Sequence, residues 1–176
     1  MRRVSRGFTL LELLFAIAVV AIVLSLGIPS FQSSVRNSKL TASVNDMVAS
    51  MQVARSEAIK RRAPVVICTS NGATNEADAN CDAAAWENGW LVFADDNNNG
   101  SRDADEILLR LEGPMRNNIE VAVPDAQPLQ DRLTYNSNGF PVIGNLQSAG
   151  ILVFCHSQAN SDYYGRIIRV PQTGRP

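Results

Sequence analysis

The residues best equipped for chemistry fall into four groups. Asp95, Asn97, Asn99, Gly100 and Glu106 satisfy the calcium-loop spacing D-x-N-x-N-G-x5-E. Calcium takes six to eight oxygens, and Asp95, Asn97, Asn99, the Ser101 carbonyl, Asp103 and Glu106 would supply them. Apolar, β-prone segments flank this loop, so it is no EF-hand, and a polar hairpin connection accounts for the same residues. Cys68 and Cys81 bracket a polar stretch without apolar periodicity, whereas Cys155 stands apart and reads as a small apolar strand residue. His156 is the sole histidine. On a strand it would project away from Cys155, so the two adjacent residues are unsuited to a nucleophile–base pair, and no phosphate loop, metal-ligand cluster or serine triad accompanies them. Catalysis is not expected.

The fourth group is the tail. From Tyr163 to Pro176 there are three arginines, Arg166, Arg169 and Arg175, two tyrosines and no acid. Such a segment can neutralise about three phosphates, giving weak, sequence-blind DNA binding, with a log–log salt slope of about −2.7. The same residues serve equally to keep an edge strand soluble. Total charge does not choose between the two. The chain carries −1, and loss of Arg2, Arg3 and Arg6 would leave 13 basic against 17 acidic side chains.

The elements that position these groups begin with the first thirty residues. A basic leader ends at Gly7, and Phe8 to Ile28 carries one charge, Glu12. A helix of that length crosses a bilayer core of about 30 Å. Arginines ahead of the span keep the amino end cytoplasmic, and export puts the cysteines where a Cys68–Cys81 bridge persists. Its loop is worth about 3 kcal/mol. A carboxylate within a span costs roughly 2.5–3.5 kcal/mol, so Glu12 needs a partner. After a cut behind Gly7 the new amino group of Phe8 would lie one helical turn away.

The run R-G-F-T-L-L-E-L resembles the processing site of type IV prepilins and pseudopilins. The resemblance implies cleavage between Gly7 and Phe8 by a prepilin peptidase, methylation of Phe8, and a role for Glu12 in filament assembly. The competing reading is an ordinary secretory signal cut near Ser25-Leu26-Gly27, which would release an exported enzyme or binding protein. Glu12 at the head of the apolar run and the pattern that continues past Gly27 oppose it.

Beyond Pro29, Leu40, Val44, Met47, Val48, Met51, Ala54 and Ala58 recur at helical steps. Ser43, Asn45, Asp46, Ser50, Gln52, Glu57 and Lys60 fill the remaining positions. Gly27 and Pro29 should kink or loosen the helix, and Lys60, Arg61 and Arg62 suit its carboxyl end. Seven strands are expected, at 65–69, 89–94, 107–111, 119–123, 132–135, 151–155 and 166–170. Asn136 to Gly139 reads as a turn and Pro124 to Gln130 as an exposed connection.

From Trp86-Glu87-Asn88-Gly89-Trp90-Leu91-Val92-Phe93 through Asp95, Asn97, Gly100, Asp103, Glu106 and Leu108-Leu109-Arg110, the chain is similar to the GspH/FimT family. The implied fold is α+β and type IV pilin-like, with a long transmembrane helix laid on an antiparallel head. Residues 1–7 would be the leader, 8–28 the membrane and assembly helix, 29–62 its amphipathic continuation and 63–176 a periplasmic head. The implied function is a minor pilin in a type IV pilus-like filament, or its twin, a minor pseudopilin of type II secretion. Its partners would be major and minor pilins or pseudopilins, the prepilin peptidase and the inner-membrane assembly platform. DNA-binding members carry a G-R-x-R-like element near the carboxyl end. Gly165-Arg166-Ile167-Ile168-Arg169 and Gly174-Arg175-Pro176 approach that pattern without completing it, and DNA uptake is the corresponding alternative.

Overall fold

A computed structural model describes residues 8–115, 118–124, 129–143, 146–147, 150–156 and 165–176. Helix α1 spans Leu10–Arg61. By contacts the chain divides into two compact units, Met1–Ser38 and Lys39–Pro176, so the second half of α1 belongs with the head, on whose sheets its apolar stripe was expected to lie. The reason is burial, since the inward stripe begins at Leu40.

Within the first unit α1 continues through Pro29 without a break. Proline has no N–H to give, which deprives the carbonyl one turn earlier of its usual donor. Apolar residues face solvent on every side of this segment, among them Leu10, Leu14, Ile17, Ile22, Leu26 and Phe31.

Within the second unit α1 buries Leu40, Ser43, Met47, Ser50, Met51, Ala54 and Ala58. Among the described residues the head has nine strands: β1 Val65–Thr69, β2 Trp90–Ala94, β3 Leu108–Glu112, β4 Ile119–Ala122, β5 Arg132–Tyr135, β6 Pro141–Ile143, β7 Leu146–Gln147, β8 Gly150–His156 and β9 Gly165–Val170. They form two antiparallel sheets, one ordered β3-β2-β1-β5-β6-β7 and the other β4-β8-β9. The seven expected strands are present within a residue or two. The additional β6 and β7 are three and two residues long, too short for a period-2 pattern to register.

One core joins the three layers. Met47, Met51 and Ala54 of α1 meet Val65, Ile67, Val92, Leu133 and Tyr135 of the larger sheet and Ile119, Leu152, Phe154 and Ile168 of the smaller one. Strands β1 and β2 are buried along their whole length, because a second cluster, Val66, Cys68, Leu91 and Phe93, lies on their opposite face. That double burial explains the unbroken apolar runs VVICT and WLVFA.

Three residues depart from their sequence-based places. Leu129, assigned to an exposed connection, is fully buried in the core, while residues 125–128 of that connection lie outside the described residues. Ser43 and Ser50, assigned to the polar side of α1, face inward. Ser50 is buried because it has partners. Its hydroxyl accepts from Trp90 Nε1 at 2.8 Å and donates to the Asp46 carbonyl at 2.9 Å, so a polar group at the helix–sheet contact is satisfied in both directions.

Replacing Ser50 with Ala should strand the Trp90 N–H in the core and cost about 1–3 kcal/mol. Trp90→Phe removes the donor as well, so in a double-mutant cycle the pair should lose less than the sum of the single changes. Additive losses in urea unfolding of the detergent-solubilised chain would mean that the hydrogen bond contributes nothing.

Candidate functional site

The amino-terminal segment is the first candidate. Phe8 is 81% exposed, and Gly7 lies outside the described residues. The Glu12 amide donates to Thr9 Oγ1 at 3.2 Å, a cap for the first turn of α1. The Glu12 carboxylate has no ion-pair partner among the described residues. An apolar helix with all faces uncovered and one unmatched carboxylate is incomplete as an isolated chain in water. It is suited to lipid or to neighbouring helices.

The Asp95–Glu106 stretch joins β2 to β3 as a hairpin connection. Asp95 and Glu106 are buried, and both carboxylates are taken up by the loop's own amides. Asp95 accepts from Asn99 N at 3.0 Å and Gly100 N at 2.9 Å. Glu106 accepts from Asp96 N and Asp103 N, each at 3.0 Å. Asn97 and Asn99 accept from the amides of Asn99 and Ser101, and their side-chain amides donate to Asp103. Among the described residues no three His, Cys, Asp or Glu side chains form a metal-ligand set. Each oxygen of the Asp95 and Glu106 carboxylates thus accepts one amide N–H, and the loop is held by its own backbone.

Cys68 and Cys81 are bridged. The loop they close lies against the outer face of the larger sheet, where Cys81 packs on Val66, Leu91 and Phe93. Arg102 fastens the hairpin connection to this loop. Its guanidinium donates to the Ala79 carbonyl at 3.0 Å and the Glu76 carbonyl at 3.3 Å, and pairs with the Glu76 carboxylate at 3.3 Å. Neither Arg102 nor Ser50 stood out in the sequence, because a lone arginine in a polar loop and a lone serine on a helix carry no periodic signal. Cys155 is half-buried and unbridged, more exposed than a core residue would be.

The tail arginines are not brought together. Arg166 stands opposite Phe154 and Arg169 opposite Ile151 in the β8–β9 register. Three residues apart on one strand, they occupy opposite faces of the sheet. Arg175 lies beyond β9, in a groove with Gln52, Arg55, Ser56 and Ile59 of α1.

A mostly uncovered apolar helix that continues into a head of two antiparallel sheets is the plan of a type IV pilin-like subunit. Two crystal structures of the Pseudomonas aeruginosa (strain PAO1) type IV minor pilin FimU share this fold. One, in space group P21, matches with a TM-score of 0.53 at 21% identity, over 80% of this chain and 87% of that one. The other, in space group P65, gives 0.50 at 20% identity, over 77% and 88%. The profile of the GspH family, described as type II transport protein GspH, matches residues 43–174, and the prokaryotic N-terminal methylation motif matches residues 2–28. The chain belongs to the GspH family. No curated protein shows significant similarity to it. It is thus a minor pilin or pseudopilin, a structural subunit anchored through its apolar helix, whose class assembles with other pilins or pseudopilins.

Removing the Asp95 carboxylate should destabilise the head by about 1–3 kcal/mol, since two loop amides lose their acceptor. The loss in Asp95→Ala should be the same in millimolar calcium and in chelator. A calcium-dependent rise in melting temperature that disappears in Asp95→Ala and Glu106→Ala would instead establish a bound ion.

Proposed function

We propose that this chain is a minor pilin that enters a type IV pilus-like filament through its amino-terminal helix. Before assembly it sits in the bacterial inner membrane as a single-pass protein, amino end cytoplasmic and head periplasmic. A prepilin peptidase removes residues 1–7 and the new Phe8 amino group is methylated. The subunit then passes through the inner-membrane assembly platform into the filament, at or near its tip.

The observation that carries this reading is Glu12 within a fully exposed apolar helix. Among the described residues no cation pairs with the carboxylate at that position, whereas an amino group from the same or an adjacent mature subunit would neutralise it in a medium where charge pairing is strong. Work is done here without covalent chemistry by the subunit. Apolar helices exchange lipid for one another, and the carboxylate sets their register.

A second reading follows from the description of the matching family, type II transport. The subunit would then belong to the pseudopilus of a type II secretion machine. The physical mechanism of assembly is unchanged. Only the neighbours differ.

Mass spectrometry of the mature protein should find a methylated amino terminus at Phe8. A terminus at Ile28 would overturn the pilin processing pathway. Glu12→Ala should be cleaved normally yet be lost from purified filaments, and wild-type incorporation of that variant would remove Glu12 from assembly. Deleting the gene separates the two machines, since loss of surface pili and loss of protein secretion are distinct phenotypes.

A further inference from the structure

The groove between α1 and the carboxyl-terminal turn has a use that filament assembly through the amino-terminal helix does not account for. Its walls are Gln52, Arg55, Ser56 and Ile59 on one side and Arg175 and Pro176 on the other. Two arginines therefore line one depression, and neither has an ion-pair partner among the described residues. Glu57, on the same turn of α1, is already held by Lys60 at 3.1 Å and Arg61 at 2.7 Å. The rest of the lining is mixed. Gln52 and Ser56 offer hydrogen bonds, and Ile59, 48% exposed, gives an apolar floor.

The placement of Arg175 is built into the fold and is not that of a loose tail. Gly174 is buried at φ +77°, and its amide closes a turn on the Pro171 carbonyl at 2.8 Å. A Cβ on Gly174 would collide with the Gly139 carbonyl, and one on Gly139 would lie 2.7 Å from Ile59 Cδ1. Beneath the turn lies Tyr135, whose hydroxyl reaches the Gly174 carbonyl at 3.5 Å. Burial pushes the Tyr135 phenol well above its ordinary range, with Arg55 opposing the shift, so it stays neutral and brings no negative charge to the arginines.

We infer that this groove is a docking site for an acidic peptide segment of another protein, one that places carboxylates on Arg55 and Arg175 and an apolar side chain on Ile59. Carboxylates match the planar fork of arginine, which can bind them through two parallel hydrogen bonds. Nucleic acid fits less well, since two cations neutralise only about two phosphates. In a filament such a site would hold an acidic loop of an adjacent head, adding selectivity to contacts that helix burial alone leaves unselective.

The test uses the full chain in detergent micelles and a fluorescein-labelled octapeptide alternating Glu and Leu. The peptide should bind at low salt and weaken as salt is raised, while the Gln–Leu analogue should bind at least ~10-fold more weakly. Arg55→Gln and Arg175→Gln should each reduce affinity by about tenfold, with far-UV circular dichroism unchanged because both changes are at the surface. Arg175→Lys should restore only part of the loss, since it keeps the charge without the fork. Gly174→Ala should weaken binding without removing any charge, by displacing Arg175. Equal affinity for the Gln–Leu analogue, indifference to both arginine changes, or no binding at low salt would overturn the proposal. A short DNA duplex displacing the peptide at lower concentration than unlabelled peptide does would overturn it in favour of a phosphate-backbone site.

Discussion

The inward stripe of α1 is the constraint on which the head depends. Leu40, Met47, Met51, Ala54 and Ala58 contribute to a single core that also receives residues from both sheets. Each sheet is thereby covered on one face by residues of the same helix. Truncating a buried Met or Leu in such a place costs about 2–5 kcal/mol, a large share of the 5–15 kcal/mol that holds a typical domain folded. The small residues Ala54 and Ala58 admit the helix close to the strands, and the Ser50–Trp90 hydrogen bond sets its rotation.

On the far face of the larger sheet the problem is solved differently. Val66, Leu91 and Phe93 are met there by Cys81 of the bridged loop and by Leu108 and Leu111 of β3, and two loops brace this side of the head. The Cys68–Cys81 bridge ties one loop to β1. The Asp95–Glu106 connection is stiffened by its own Asx-type hydrogen bonds and fastened by Arg102 to the first and by Arg132, through the Gly100 carbonyl, to β5. Residues with the spacing of a cation loop thus also work as internal scaffolding, through the amide N–H groups their carboxylates accept.

The same helix serves two solvents. From Leu10 to Phe31 it is apolar on all faces and uncovered, apart from Glu12, while from Leu40 onward one side is apolar and the other carries Asn45, Gln52 and Lys60. A membrane-crossing helix needs no polar side, but a helix lying on a head in water does. The change in pattern along one element marks the passage from lipid, or a bundle of like helices, to water.

Much of this was legible in the sequence. The apolar span with its single acid, the stripe from Leu40 to Ala58, seven of the nine strands and the Cys68–Cys81 pairing all leave local patterns: a run without charge, a 3.6 period, an alternation between turns, two cysteines around an unsupported loop. What the sequence left open is what depends on register and on distant partners. The spacing from Asp95 to Glu106 is common to a calcium loop and to a hairpin, and only the fold shows that the loop's own amides donate to both carboxylates. Arg166, Arg169 and Arg175 read as one basic cluster along the chain, yet strand alternation parts the first two, and the turn at Gly174 carries the third across to Arg55 on α1. Ser50 looked like a surface residue until Trp90, forty residues away, supplied the donor that makes its burial affordable. Local periodicity fixes which residues face inward together. Tertiary packing alone decides which charged and polar groups meet, because it joins positions that share no period in the chain.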